Sequence, residues 1–109
     1  MTRAEIQKAL DEMVGRIVAR FHPDRIILFG SCVKGEPTED SDIDLLIVMP
    51  VKGSRREQAN AIDLALADRA VPVDLIVLTP EQFERQKDSF GTIACEAVRA
   101  GRVIYERAA

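Results

Sequence analysis

Ser41-Asp42-Ile43-Asp44-Leu45-Leu46-Ile47-Val48-Met49 opens on two acids and then turns apolar to its end. From Asp42 to Met49 it reads as a strand. A run this apolar is expected to be buried on both faces, as a central strand is. Asp42 and Asp44 lie two apart, so their side chains leave the same face. Two further apolar runs flank this one in sequence. Arg25 to Phe29 is a short strand closed by Gly30. Val71 to Leu78 is a third strand, interrupted by Asp74.

Helical spacing fills the intervals. Thr2-x-x-Glu5 is a capping box, in which each side chain satisfies a backbone donor that the other exposes. Behind it Ile6, Leu10, Met13, Val14, Ile17, Val18 and Phe21 recur on one helical face. That helix should end before His22-Pro23-Asp24, because proline disfavours helical geometry in the residue ahead of it. Ser54-x-x-Glu57 is a second capping box, with Ala61, Ile62, Leu64, Ala65 and Leu66 expected toward the core. Thr79-Pro80-x-Gln82 starts a third helix with proline at its first position, where the missing N–H costs little. A last helix covers about Thr92 to Ala100, with Gly101 as its C-terminal stop. Arg102 to Tyr105 is a candidate closing strand. Between the first two strands, Ser31 to Lys34 could make one helical turn, and Glu36 to Ser41 is a polar loop.

This order predicts an α/β (α+β) fold: a small mixed sheet of three or four strands with helices packed mainly on one side. The 109 residues are expected to form a single domain, 1–109. Only five residues are aromatic, so the core must be built from aliphatic side chains.

The net charge of −3 argues against a sequence-blind grip on nucleic acid, which needs several cations on one face. The two cysteines, Cys32 and Cys95, lack metal-ligand spacing and read as reduced thiols. Neither a signal peptide nor an apolar run of membrane-spanning length is recognisable. A cytoplasmic, soluble protein is expected.

Two like charges on one strand face repel, and burial would make ionising both costly. A hard divalent cation with oxygen ligands is the natural compensation. If the second and third strands are neighbours, Asp74 completes a three-acid site. Carboxylates alone do not choose among metal-assisted reactions. The preceding turn narrows them: Gly30 lets backbone approach a ligand, and exposed N–H groups after Ser31 favour an anion such as phosphate. A P-loop is excluded, since Glu36-Pro37 follows Gly35 where Lys-Ser/Thr is required. Gly-x-Gly-x-x-Gly is absent as well.

Gly30-Ser31, ten intervening residues and Asp42-Ile43-Asp44 resemble the signature of the polymerase-beta-like nucleotidyltransferase superfamily. Leu28-Phe29-Gly30-Ser31, Gly35, Ser41 to Leu46 and the ending Ala100 to Tyr105 are similar to its minimal nucleotidyltransferase, or MntA-like antitoxin, branch. The resemblance implies a nucleotidyltransferase fold. It implies that Asp42, Asp44 and Asp74 are catalytic and hold two Mg2+ ions, and that Gly30, Ser31, Lys34 and Ser41 bind the nucleotide. Many relatives carry arginine soon after Gly-Ser, where this chain has Cys32 and Val33, leaving Lys34 as the nearest cation. The implied reaction moves AMP from ATP to a hydroxyl. The implied acceptor is a tyrosine of a HEPN-domain ribonuclease toxin, within a type VII-like toxin–antitoxin pair and a hetero-oligomer. A non-catalytic antitoxin acting by occlusion, or a small-molecule nucleotidyltransferase, are the alternatives.

Overall fold

The computed structural model describes residues 2–30 and 43–107. Those described residues form four helices and four strands, in the order α1 (Arg3–Phe21), β1 (Arg25–Phe29), β2 (Ile43–Val48), α2 (Arg55–Ala65), β3 (Val73–Leu78), α3 (Pro80–Gln86), α4 (Ile93–Ala100) and β4 (Arg102–Glu106). The strands form one sheet in the order β3-β2-β1-β4. β1 runs antiparallel to both β2 and β4, and β2 runs parallel to β3. A parallel pair cannot be closed by a hairpin, and α2 supplies the crossover.

Among the described residues the helix signals act as read, with two exceptions, and the possible turn over Ser31 to Lys34 lies outside them. Thr2 and Glu5 cap α1 reciprocally, as do Thr79 and Gln82 at α3. Such a cap is worth about 1 kcal/mol. His22 ends α1 in the left-handed region, at φ 50°, with its N–H donating to the Val18 carbonyl. A non-glycine residue there is uncommon, and the following Pro23 forbids the helical alternative. At α2 the Ser54 side chain accepts from the Glu57 N–H, which is one half of the expected box. Gly101 ends α4 with extended backbone, φ −90°, rather than a left-handed cap. Its reason is space: a Cβ would overlap the Ala97 carbonyl oxygen and crowd that of Leu28.

β2 is the central strand that its composition calls for, buried everywhere except at the half-buried Asp44. Alternate residues divide the core in two. Ile43, Leu45 and Ile47 meet Leu10, Met13 and Ile17 of α1 and Ile62 of α2, with Leu66 just beyond its end. Leu46 and Val48 face the other way, against Phe83 of α3 and Ala94 and Ala97 of α4. The two longer helices therefore share one face, and the two shorter ones cover the other. Within α2 the core face is narrower than expected. Ile62 and Leu66 are buried one turn apart, while Ala61 is exposed and Leu64 is 76% exposed on the far side. On α4, Ala94 and Ala97 are core, whereas Ile93 and Val98 are partly exposed. No described helix is long and apolar enough to cross a membrane.

Candidate active site

Three strand ends converge on one side of the sheet. Phe29, the last residue of β1, is paired with Asp44 of β2, and Asp44 is in turn paired with Asp74 of β3. Residues in register on neighbouring strands direct their side chains to the same face. Phe29 packs in the α3/α4 cluster, so both carboxylates stand on that face, near where the apolar cover ends. The neighbouring strands are about 4.8 Å apart. Two acids at that spacing repel unless a cation or a hydrogen-bond donor lies between or beside them.

Gly30 belongs to the same corner. Its φ of +85° lies in a region that side-chain-bearing residues rarely adopt. A Cβ at this position would overlap a carboxylate oxygen of Asp44. The sequence places a glycine here for close approach to a ligand; the structure shows close approach to Asp44 itself. The carboxylate lies directly against Gly30, the residue that follows β1.

The reading of Asp74 changes. The sequence sets it inside an apolar strand, and the structure leaves it exposed. β3 is an edge strand, and the apolar sequence Val71 to Leu78 is buried mostly by α2 on one side. Asp74 points to the other side, ahead of the cover that α3 gives further along. Asp42, Ser31, Lys34 and Ser41, with Cys32, lie outside the described residues.

One neighbouring feature had no signal strong enough to single it out from sequence. A groove of about 740 Å³ runs beside β3, with Arg55 and Arg56 of α2 along it. By sequence those arginines fit equally well as groups that steer nucleotide phosphates and as a solvated helix start.

The nucleotidyltransferase domain family matches residues 4–97. A protein of Methanocaldococcus jannaschii, provisionally named a protein adenylyltransferase, is 35% identical over 105 residues, covering 91% of this chain and 97% of its own. A crystal structure from Sulfolobus solfataricus, provisionally described as a nucleotidyltransferase, has the same fold: TM-score 0.62 and 21% identity, with 98% of this chain and 91% of that one covered. A toxin–antitoxin structure with AMP-PNP is a weaker likeness, at TM-score 0.47 and 23% identity, covering 98% of this chain and 75% of that one. The chain belongs to the nucleotidyltransferase domain family, and it is an enzyme of that class that uses a nucleotide.

Proposed function

We propose that the chain transfers AMP from ATP to a hydroxyl of a partner protein, with Asp42, Asp44 and Asp74 as its catalytic and metal-binding acids. The observation that carries this is the register of Asp44 with Asp74 on one sheet face, with Gly30 shaped to admit the Asp44 carboxylate. Two oxygen-donor side chains at one strand spacing fit a hard divalent cation, and the sequence supplies a third two residues before Asp44. Asp42 and Asp44 would hold two Mg2+ ions, with Asp74 beside the one nearer the acceptor. When bound, these ions draw charge from the attacking and leaving oxygens.

The remaining work falls to the chain. Gly30 and Ser31, with Lys34 and Ser41, would seat the triphosphate at the turn after β1. The acceptor oxygen bonds to the α-phosphorus, the bond to the bridging oxygen breaks, and pyrophosphate leaves. The hydroxyl proton passes to the Asp74 carboxylate, whose exposure lets it return the proton to water. Orientation and electrostatics, rather than covalent chemistry by the protein, account for the rate.

A protein acceptor is supported by the name of the 35% identical relative. The resemblance to MntA-like antitoxins narrows the acceptor to a tyrosine of a HEPN-domain toxin. The test incubates the chain with α-labelled ATP, Mg2+ and its co-purifying partner. Label on the partner that disappears in Asp42→Asn/Asp44→Asn is the expected result. Silencing of the partner by that double variant with no label anywhere would instead identify an antitoxin acting by occlusion.

A further inference from the structure

A four-stranded open sheet has two edges, and these two are built differently. β4 pairs with β1 through a bulge between Ile26 and Ile27. The bulge turns Arg102 and Glu106, at the two ends of β4, toward opposite faces. Bulges and flanking charges are ordinary ways of keeping an edge from pairing further. β3 has neither. Its six residues stay in unbroken register with β2, and its single charge is Asp74.

The hydrogen-bonding direction of β3 follows from its ends. The Ile43 N–H donates to the Pro72 carbonyl and the Met49 N–H to the Leu78 carbonyl, each at 3.1 Å. In a parallel ladder successive residues alternate sides, so Pro72, Asp74, Ile76 and Leu78 face β2. Val73, Leu75 and Val77 therefore direct their N–H and C=O groups outward. Among the described residues nothing hydrogen-bonds to these outward groups. The edge is accessible at its middle, where Asp74 is exposed and Leu75 and Ile76 are half-buried.

The groove of about 740 Å³ lies along this same stretch, with Leu75, Ile76 and Val77 on one side and Arg55 and Arg56 on the other. Among the described residues, no acidic one lines it, in a protein whose net charge is −3. An open strand edge accepts an extended peptide through main-chain hydrogen bonds, and side-chain pockets beside it set which peptide. Two arginines along the groove favour an acidic one. They are too few to hold a nucleic-acid backbone, where affinity grows with each phosphate neutralised.

We propose that the acceptor protein docks through an extended acidic segment that pairs with the edge of β3. Its carboxylates lie by Arg55 and Arg56, and the pairing carries its hydroxyl past Asp74. This rests on the transfer reading above for the identity of the occupant as acceptor, while the docking itself is a separate claim.

The probe is a short blocked peptide of alternating valine and glutamate with one central tyrosine. Its counterparts carry lysine for glutamate, or N-methylated valines that cannot donate to a strand edge. Amide hydrogen exchange of the full chain is followed with each peptide, without nucleotide. The glutamate peptide should protect Leu75 and its outward neighbours. The lysine and N-methyl peptides, and Arg55→Glu/Arg56→Glu with the glutamate peptide, should bind about tenfold more weakly or worse, a difference of roughly 1.4 kcal/mol. ATP affinity of the double variant should stay as in the parent. Leu75→Pro removes an outward N–H that the sheet does not use, and should lose the protection as well.

Absence of protection on β3 overturns the proposal. So does protection indifferent to charge reversal, or a fall in ATP affinity with peptide binding intact, which would make the arginines phosphate ligands. Displacement of the peptide by oligouridylate also overturns it in favour of an RNA. Addition of α-labelled ATP and Mg2+ separates the two claims. Peptide docked on β3 but unlabelled leaves the docking standing and removes the transfer reading; labelled peptide with no protection of β3 does the reverse.

Discussion

β4 and β3 close the same sheet and have nearly the same length, yet almost every local feature differs. β4 is bulged, and the ends of the two outer β1–β4 partners are tied by ion pairs. Arg25 meets Glu106 at 3.7 Å, and Arg107 meets Asp24 at 3.6 Å. Gly101 lets the chain turn from α4 into β4 against the backbone of β1. β3 has a straight register, an uncovered middle and an acid paired with the acid of the central strand. One edge is arranged to stop, the other to receive. Closing features should therefore appear in stability measurements, and those around Asp74 in activity measurements.

The strongest break in that contrast comes from Asp74→Asn. The side chain is exposed, so the melting temperature should hardly move, while labelled AMP transfer should fall roughly a hundredfold or more, as for loss of one electrostatic stabiliser. A fall in both together would place Asp74 with the structural residues. Gly30→Ala should cost about 2 kcal/mol for its positive φ alone, and its Cβ would push the Asp44 carboxylate aside. Denaturant unfolding and transfer rate should both suffer. Gly101→Ala makes the matching test at the other edge. Crowding two carbonyl oxygens should cost about 1–3 kcal/mol, with the transfer rate per folded molecule unchanged.

Smaller effects follow at exposed pairs. Glu106→Gln should lower stability by less than about 1 kcal/mol, measured by urea titration, with the loss fading at high salt. Arg16 donates to Asp68 and pairs with it, tying α1 to the end of α2. The hydrogen bond from Arg16 and then its charge hold the Asp68 carboxyl below its ordinary value. A lowered folded value means that this stabilisation is present above the ordinary Asp range, and is lost as pH falls through the folded value. Thermal melts of the parent and Asp68→Asn should therefore converge in acid and differ slightly near neutrality.

Much of this was legible because the signals are local. The capping box at Thr2, the proline after Thr79, the apolar strands and the proline after His22 each specify their geometry within a few residues. Asp42-Ile43-Asp44 after Gly30-Ser31 named the family without a fold in hand. What could not be read depends on strand order. Val71 to Leu78 looks buried by composition, and only its place at the sheet edge exposes Asp74. Leu64 shares helical spacing with no buried partner, and only the position of α2 decides that it faces out. Gly101 has the sequence of a left-handed cap, but its backbone is extended because β1 passes so close. The arginines beside β3 acquire meaning only when that strand proves to be open.

The central claim is that Asp44 and Asp74 act on one ion and one nucleotide. Mn2+ affinity in the presence of a non-hydrolysable ATP analogue tests it most directly, in the parent, Asp44→Asn, Asp74→Asn and the double variant. The account predicts that each single change weakens binding about tenfold or more, and that the double loses clearly less than the two losses combined, as for ligands that share a partner. Two independent, fully additive losses, or Mn2+ binding untouched by either change, would contradict it.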